Sequence, residues 1–183
     1  MMNVYVPVPL EKFELCQPVD DQQFDNIIDR LAGTPYGSNW QPVKVEIIQE
    51  DRGKKLLESD TPWLGPHALI FRQTVVQAMG SLLREFGELL PLQCDEAELS
   101  IFNVTRLLDA LDESASSIVR FGSGRILNIE KYEFRRDIVK GNEIFKIPNL
   151  RASPTFIGDR FVELWKTAGL RGLDFKKVWS AQS

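Results

Sequence analysis

Carboxylates are the most numerous reactive side chains in this sequence, and their spacing suits docking better than acid–base chemistry. Asp21, Asp25 and Asp29 recur every fourth residue along one predicted helix face, Asp95, Glu96 and Glu98 crowd a short turn, and Asp112 and Glu113 are adjacent. A pair of carboxyls acting as acid and base must be held in different surroundings, one protonated and one ionised. Neighbours on one solvated face do not supply that difference. Their repulsion costs only about 0.2–0.5 kcal/mol per helical pair, so a plain solvated face is tolerable at each position. The same carboxylates would draw in a basic protein surface and speed its encounter. These eight residues are the candidate partner contacts.

The other chemistries lack parts. His67 is the single histidine, so any nucleophile–base arrangement must run through it, and a turn histidine of structural role is the simpler reading. Cys16 and Cys94 are too few for a disulfide framework or a cysteine metal cluster. No glycine-rich phosphate loop occurs, and Gly122-Ser123-Gly124 reads as a hairpin turn. No catalytic residue, metal or cofactor is therefore expected. The stretch Lys131-Tyr132-Glu133-Phe134-Arg135-Arg136 mixes basic and aromatic types, but acids interleave with the bases and the chain is acidic overall, so no nucleic-acid partner is expected.

The 183 residues are 43% hydrophobic and 26% charged with a formal net charge of −4, the composition of a globular chain with a sizeable core. Residues 1–115 carry 9 Lys/Arg against 19 Asp/Glu, a net of −10, whereas residues 116–183 carry 13 against 7, a net of +6. Either the halves form opposed faces or they pair in the fold. No targeting segment and no apolar run approaching the ~20 residues of a membrane span is visible, which predicts no membrane partner and a cytoplasmic protein.

Periodicity supplies the elements that must position these residues. A helix is predicted near 20–32, with Phe24, Ile27, Ile28 and Leu31 on one face, a capping box from Asp20 and Gln23, and Gly33 and Pro35 beyond its end. A strand follows at Val43–Gln49, then a short helical turn at Lys54–Glu58. The stripe Val75, Val76, Met79, Leu82, Leu83 and Phe86 predicts a helix over 72–86 ended by Gly87. Alternating Leu90, Leu92 and Cys94 around Pro91 predict an edge strand; Leu99–Val104 is a second strand, and Leu107, Leu108 and Leu111 suggest a short helix. A bulged hairpin is expected from Ile118–Phe121 and Arg125–Phe134. Thr155–Ile157, a helix led by Asp159 with Phe161, Leu164, Trp165 and Ala168 on one face, Gly169, and a strand from Leu173 close the chain. This last unit echoes the strand–helix–strand order of Ala68–Leu92. The fold class expected is α+β: a mixed, largely antiparallel sheet with packed helices, in a single domain.

A resemblance carries the reading further. Thr61-Pro-Trp-Leu-Gly65, Gly87-Glu-Leu-Leu-Pro-Leu92, Phe102-Asn-Val-Thr-Arg-Leu-Leu-Asp-Ala-Leu-Asp112, Ile144-Phe-Lys-Ile-Pro148 and Phe161 through Phe175 occur in an order and spacing that resemble family eleven of the immunity proteins of bacterial polymorphic-toxin systems, formerly a domain of unknown function. The likeness runs over about residues 61–179, with residues 1–60 matching less well, and the whole of 1–183 is expected to form one immunity-type domain. The resemblance implies a small antidote without catalytic apparatus that binds a cognate toxin, often a nuclease, and occludes its active site. It implies no cofactor and carries over no functional residues. The residues alone leave two alternatives open: a regulatory module that binds some other protein, or a hydrolase built on scattered carboxylates. Oligomeric state is not set by these features.

Overall fold

An apolar stripe on a helix needs a surface to cover it, and here two such stripes cover each other and the two sheets beneath them. The computed structural model describes residues 1–181. In chain order its elements are β1 (Met2–Pro9), β2 (Leu15–Pro18), α1 (Gln23–Arg30), a 3₁₀ turn (Gly37–Asn39), β3 (Val45–Ile48), β4 (Glu50–Asp51), β5 (Lys54–Lys55), β6 (Ile70–Arg72), α2 (Gln73–Phe86), β7 (Gly87–Pro91), β8 (Leu99–Val104), β9 (Ser117–Arg120), β10 (Ile126–Lys131), α3 (Arg136–Val139), β11 (Ile144–Phe145), β12 (Phe156–Ile157), α4 (Asp159–Thr167) and β13 (Leu173–Ala181).

Two units share one plan. Strands β6 and β7 both pair antiparallel with β8, so α2 connects two mutually parallel strands across a central antiparallel one. Strands β12 and β13 both pair antiparallel with β1, and α4 makes the equivalent crossing. The echo read from the sequence is thus a shared topology, although the central strand follows its crossover in the first unit and precedes it in the second. The helices meet in one cluster, where Val75, Met79 and Leu83 of α2 join Phe161 and Trp165 of α4, with Phe71 and Phe102 from one sheet and Ile157 and Leu173 from the other. A second cluster holds Ile27, Leu31, Val45 and Ile47 against β6–β8, and a third gathers Val4, Phe134, Phe145 and Phe156. The class is α+β, and all strand–strand ladders are antiparallel among the described residues.

Strand β1 went unread in the sequence because Pro7 and Pro9 interrupt it. Proline lacks a ladder donor, but β12 reaches only Tyr5 of β1, so both prolines lie where one side of the strand has no sheet neighbour. Pro91 ends edge strand β7, as predicted.

Several local expectations are corrected. Lys54–Glu58 is not a helical turn: β4 and β5 form a small hairpin whose two loop residues, Arg52 and Gly53, both have positive φ (49° and 76°), the geometry that matches strand twist. Leu107–Leu111 is extended rather than helical, because its backbone finds tertiary partners: Leu108 N–H donates to Lys146 O at 2.8 Å, and Leu111 bridges Phe134. The capping box at α1 is absent; Asp20 Oδ1 accepts from Gln22 N–H at 3.0 Å, two residues on, and the helix spans only Gln23–Arg30. Phe24 points outward, 39% exposed, while Ile27 and Leu31 are buried. Asp159 leads α4, yet its carboxylate accepts from Asn3 N–H (3.0 Å), Asn3 Nδ2 (2.9 Å) and Tyr5 Oη (3.0 Å), tying the helix start to β1. The helix N-terminus is served instead by Glu143, whose Oε2 accepts from Arg160 N–H at 3.1 Å. A Cβ on Gly158 would run into that carboxylate, so a larger residue there would have to displace the Glu143 cap.

Lys146 joins the sheets to the N-terminal segment. It is 3% exposed, and its Nζ donates to Leu31 O (2.9 Å) at the end of α1 and to His67 O (2.7 Å). Burial pulls its amine from 10.5 down to about 8.

Two outcomes are expected. A fragment of residues 96–183 lacks β1 and therefore the strand that joins β12 to β13, so it should show no cooperative urea transition; a sharp transition with native-like aromatic circular dichroism would contradict the topology. Because Lys146 titrates lower in the folded chain, the unfolded chain binds more protons between about pH 8 and 10.5, and stability should rise across that window. Lys146→Met should flatten that rise by up to about 1.4 kcal/mol per pH unit, read from urea midpoints.

Candidate partner-binding face

The buried polar groups are structural ties. Glu14, 5% exposed, accepts from Arg72 Nη2 at 2.8 Å and Ser59 N–H at 3.0 Å, while Arg72 Nε donates to Ser59 O at 2.8 Å. Asn103 Nδ2 donates to Thr34 O (2.9 Å) and Glu88 Oε2 (3.0 Å), and Glu88 also accepts from the Tyr36 and Gly37 N–H groups. Burial opposes ionisation of Glu88, but these donors outweigh it and hold its carboxyl below the usual range. His67 is half-buried in the Gly65–Ala68 turn; burial, helped by the Lys146 charge, pushes its imidazole down, toward the neutral form. Among the described residues its ring makes no hydrogen bond, and no cluster of three or more His, Cys, Asp or Glu is placed to hold a metal. Cys16 is buried and its thiol pushed up to about 12 by that burial.

The eight acidic candidates fall into two groups. Along α1, Arg151 straddles two of them: Nε and Nη2 donate to Asp29 Oδ1 and Oδ2 at 2.9 and 3.0 Å, and Nη1 lies 3.4 Å from Asp25 Oδ1. Asp21 stands exposed just before the helix. Two residues before Arg151, Asn149 Nδ2 donates to Glu113 Oε1 at 2.6 Å, and Glu113 Oε2 accepts from Arg120 Nη2 at 2.6 Å. Asp112 accepts from Ser114 Oγ (2.6 Å) and the N–H groups of Ser114 and Ala115, so it builds the turn that carries Glu113. The 149–151 segment thus joins the α1 acids and the 112–113 acids into one face. Asp95, Glu96 and Glu98 belong elsewhere: they contact Lys44 (3.7 Å), the Cys94 thiol (3.0 Å) and Gln73 Nε2 (2.9 Å) respectively. No hydrogen bond or ion pair among the described residues links the two groups.

Partners set the charge of this face. Hydrogen bonds from Arg151 hold Asp29 below the usual carboxylate range, those from Asn149 and Arg120 do so for Glu113, and the Ser114 hydroxyl does so for Asp112. In the second group the Cys94 thiol lowers Glu96.

The face is concave. A cleft of about 220 Å³ between α1 and the 146–153 segment is floored by Leu31, Ile147 and the exposed Leu107. A hollow of about 350 Å³ on the other side of Asn149–Arg151 is walled by Arg120, Phe121 and Arg125. Sequence reasoning found the acids but missed Arg120, Asn149 and Arg151. The one signal available was the opposite net charge of the two halves. That charge pairs across the fold, as Arg151 with Asp25 and Asp29, Arg160 with Glu85, Arg135 with Asp109 and Arg120 with Glu113.

Comparison with known proteins gives one family model, an immunity protein family (Imm11), matching residues 96–180. The match begins downstream of the Thr61–Gly65 and Gly87–Leu92 stretches and covers β8 through most of β13. No curated protein matches the chain. No helix among the described residues is long and apolar enough to cross a membrane.

Asp29 provides the check on this geometry. Its folded value is depressed, so the Arg151 pairing is in force above the ordinary carboxylate range and is lost as pH falls through the folded value. In Arg151→Ala, the Asp29 carboxyl should titrate higher, toward 3.8, by carbon-detected NMR. An unchanged curve would show that the two do not pair in solution.

Proposed function

With residues 96–180 assigned to an immunity protein family, we propose that this chain is a non-catalytic antidote that binds a cognate bacterial toxin in the cytoplasm and covers its active site. The single observation that carries the reading is the family match, which falls on the 112–113 turn and the 149–151 segment that organise the acidic face. A nuclease toxin suits such a face. An enzyme that binds polyanionic nucleic acid presents a cationic cleft, and a concave surface bordered by Asp25, Asp29, Asp112 and Glu113, with exposed Asp21 just ahead of α1, offers carboxylates in place of phosphates. Asp95, Glu96 and Glu98, on another part of the surface, take a peripheral part, adding to long-range attraction.

Two features favour inhibition by binding over catalysis. The lone histidine is half-buried without a carboxylate or hydroxyl partner among the described residues. Asp29, Asp112 and Glu113 are already engaged by arginine, asparagine or serine, which fixes their geometry and holds each carboxyl below the usual range, in the ionised form that accepts and does not donate a proton. Glu143, which burial does raise, caps α4 and lies outside this face.

The test starts by asking whether a neighbouring reading frame encodes a toxin-like domain, and co-expresses that domain with this chain. Growth should be restored, and the two proteins should co-purify as a stable complex. Association at low salt should be fast and fall steeply with ionic strength, and Asp25→Lys/Asp29→Lys should slow it by about tenfold or more. Restored growth without any complex, or an association rate indifferent to salt, would contradict inhibition through an acidic face.

A further inference from the structure

The β9–β10 hairpin stands apart from both main sheets, its strands paired only with each other among the described residues. One side is rooted: Ile118 and Ile129 sit opposite each other and pack into the aromatic cluster around Phe134. The other side carries apolar groups into solvent, with Val119 38%, Phe121 47% and Leu127 54% exposed. Its tip is closed by Phe121 N–H to Arg125 O at 2.8 Å and Gly124 N–H to Phe121 O at 2.9 Å, with Gly124 at φ +84°. Phe121 is therefore an exposed aromatic on a stiff support.

Three guanidinium groups border the hollow beside it, and two are committed. Arg120 is held by Glu113 (2.6 Å) and Gly124 O (2.9 Å), and Arg151 by Asp25 and Asp29. Arg125 makes no ion pair among the described residues; its charge lies 5.7 Å from the centre of the Phe121 ring. The hairpin from Ser117 to Lys131 has three bases, Arg120, Arg125 and Lys131, against the single acid Glu130, so its sign is opposite to that of the α1 ridge across Asn149–Arg151.

We infer that Phe121 and Arg125 anchor the toxin, taking an acidic segment of it in the hollow at the hairpin tip, with a carboxylate on the Arg125 guanidinium and an apolar neighbour on the Phe121 ring. The inference rests on the immunity reading and deepens it by naming a basic, aromatic contact beside the acidic one. Arginine and aromatic residues dominate interface energetics when water is excluded around them, and a guanidinium with no carboxylate partner among the described residues can bind an incoming carboxylate with both its arms. Charge also selects the occupant. A phosphate backbone seated here would bring its continuous charge against Glu113 in the wall of the hollow, whereas a protein segment can place a single carboxylate on Arg125 away from it.

The experiment uses the full chain and a catalytically inactive form of the neighbouring toxin domain in surface plasmon resonance. Phe121→Ala should weaken binding about 30-fold and Arg125→Glu about 100-fold, chiefly through faster dissociation, with Arg125→Lys between wild type and Arg125→Glu. Both residues are exposed, so thermal midpoints should stay at the wild-type value. Wild-type affinity in Phe121→Ala and Arg125→Glu, with Asp25→Lys/Asp29→Lys still impaired, would overturn the anchor and leave the immunity reading intact. Failure of the wild-type chain to bind the toxin would remove both. Two other occupants would also overturn it: a second copy, seen as a wild-type dimer that Phe121→Ala dissociates, or nucleic acid, seen as single-stranded oligonucleotide binding that Arg125→Glu abolishes, in each case with toxin binding unchanged.

Discussion

Strand β1 has to lie between β12 and β13, and most of the molecule follows from that requirement. The antiparallel ladder from Met2–Ala181 to Pro9–Leu173 fixes residues 2–9 and 173–181 side by side. Asp159 then locks the start of α4 onto Asn3 and Tyr5. With β13 placed, Trp179 meets Phe134 edge-on at 5.8 Å, and Phe134 does the same with Phe156 at 5.2 Å. That aromatic cluster seats Ile118 and Ile129, the root of the β9–β10 hairpin. The exposure of Phe121 is thus set, through a chain of packing contacts, by a strand more than a hundred residues away. The family match covers residues 96–180, yet the sheet within those residues is completed by residues 2–9.

Charge works differently from packing. The acidic first part of the chain and the basic last part meet in pairs such as Arg151 with Asp29 and Arg160 with Glu85, so the imbalance in sequence becomes alternation on the surface. Exposed pairs of this kind contribute little to stability, typically below about 1 kcal/mol. Their consequence is placement. Arg151 pins the 149–151 segment against α1, and Asn149 on the same segment orients Glu113, which in turn holds Arg120 at the base of the hairpin. The buried ties, Arg72 with Glu14 and Lys146 with two carbonyls, hold segments that would otherwise have no reason to meet.

The parts of the fold legible in sequence are those whose buried surface is made locally. Helix α2 has six buried residues in fourteen, and its stripe was visible without knowing what covered it. Strand β8 and the bulged hairpin were legible for the same reason, since alternation and a glycine turn are local signals. Where the partner is distant, the letters mislead. The leucines at 107, 108 and 111 have helical spacing, but the backbone there is satisfied by Lys146 and Phe134. Strand β1 hides behind two prolines that only its one-sided pairing makes harmless. The site divides in the same way. Asp25 and Asp29 announced themselves by spacing on one helix, whereas Arg151 lies 122 positions from Asp29 and could be joined to it only by the fold.

A face of alternating sign has a property that a uniformly acidic one lacks. Many basic surfaces are attracted to a patch of carboxylates, so attraction alone sorts partners poorly. Where an acidic ridge borders an unpaired arginine, a partner rotated or shifted by one position would set its basic groups against Arg125 and its acids against Asp25 and Glu113. Such like-charge contacts cost several kcal/mol at a desolvated interface, more than the attraction gains at long range. The ridge would then govern how fast a partner arrives and the hairpin which partner stays. A surface that must single out one partner among many of similar charge needs the second property more than the first.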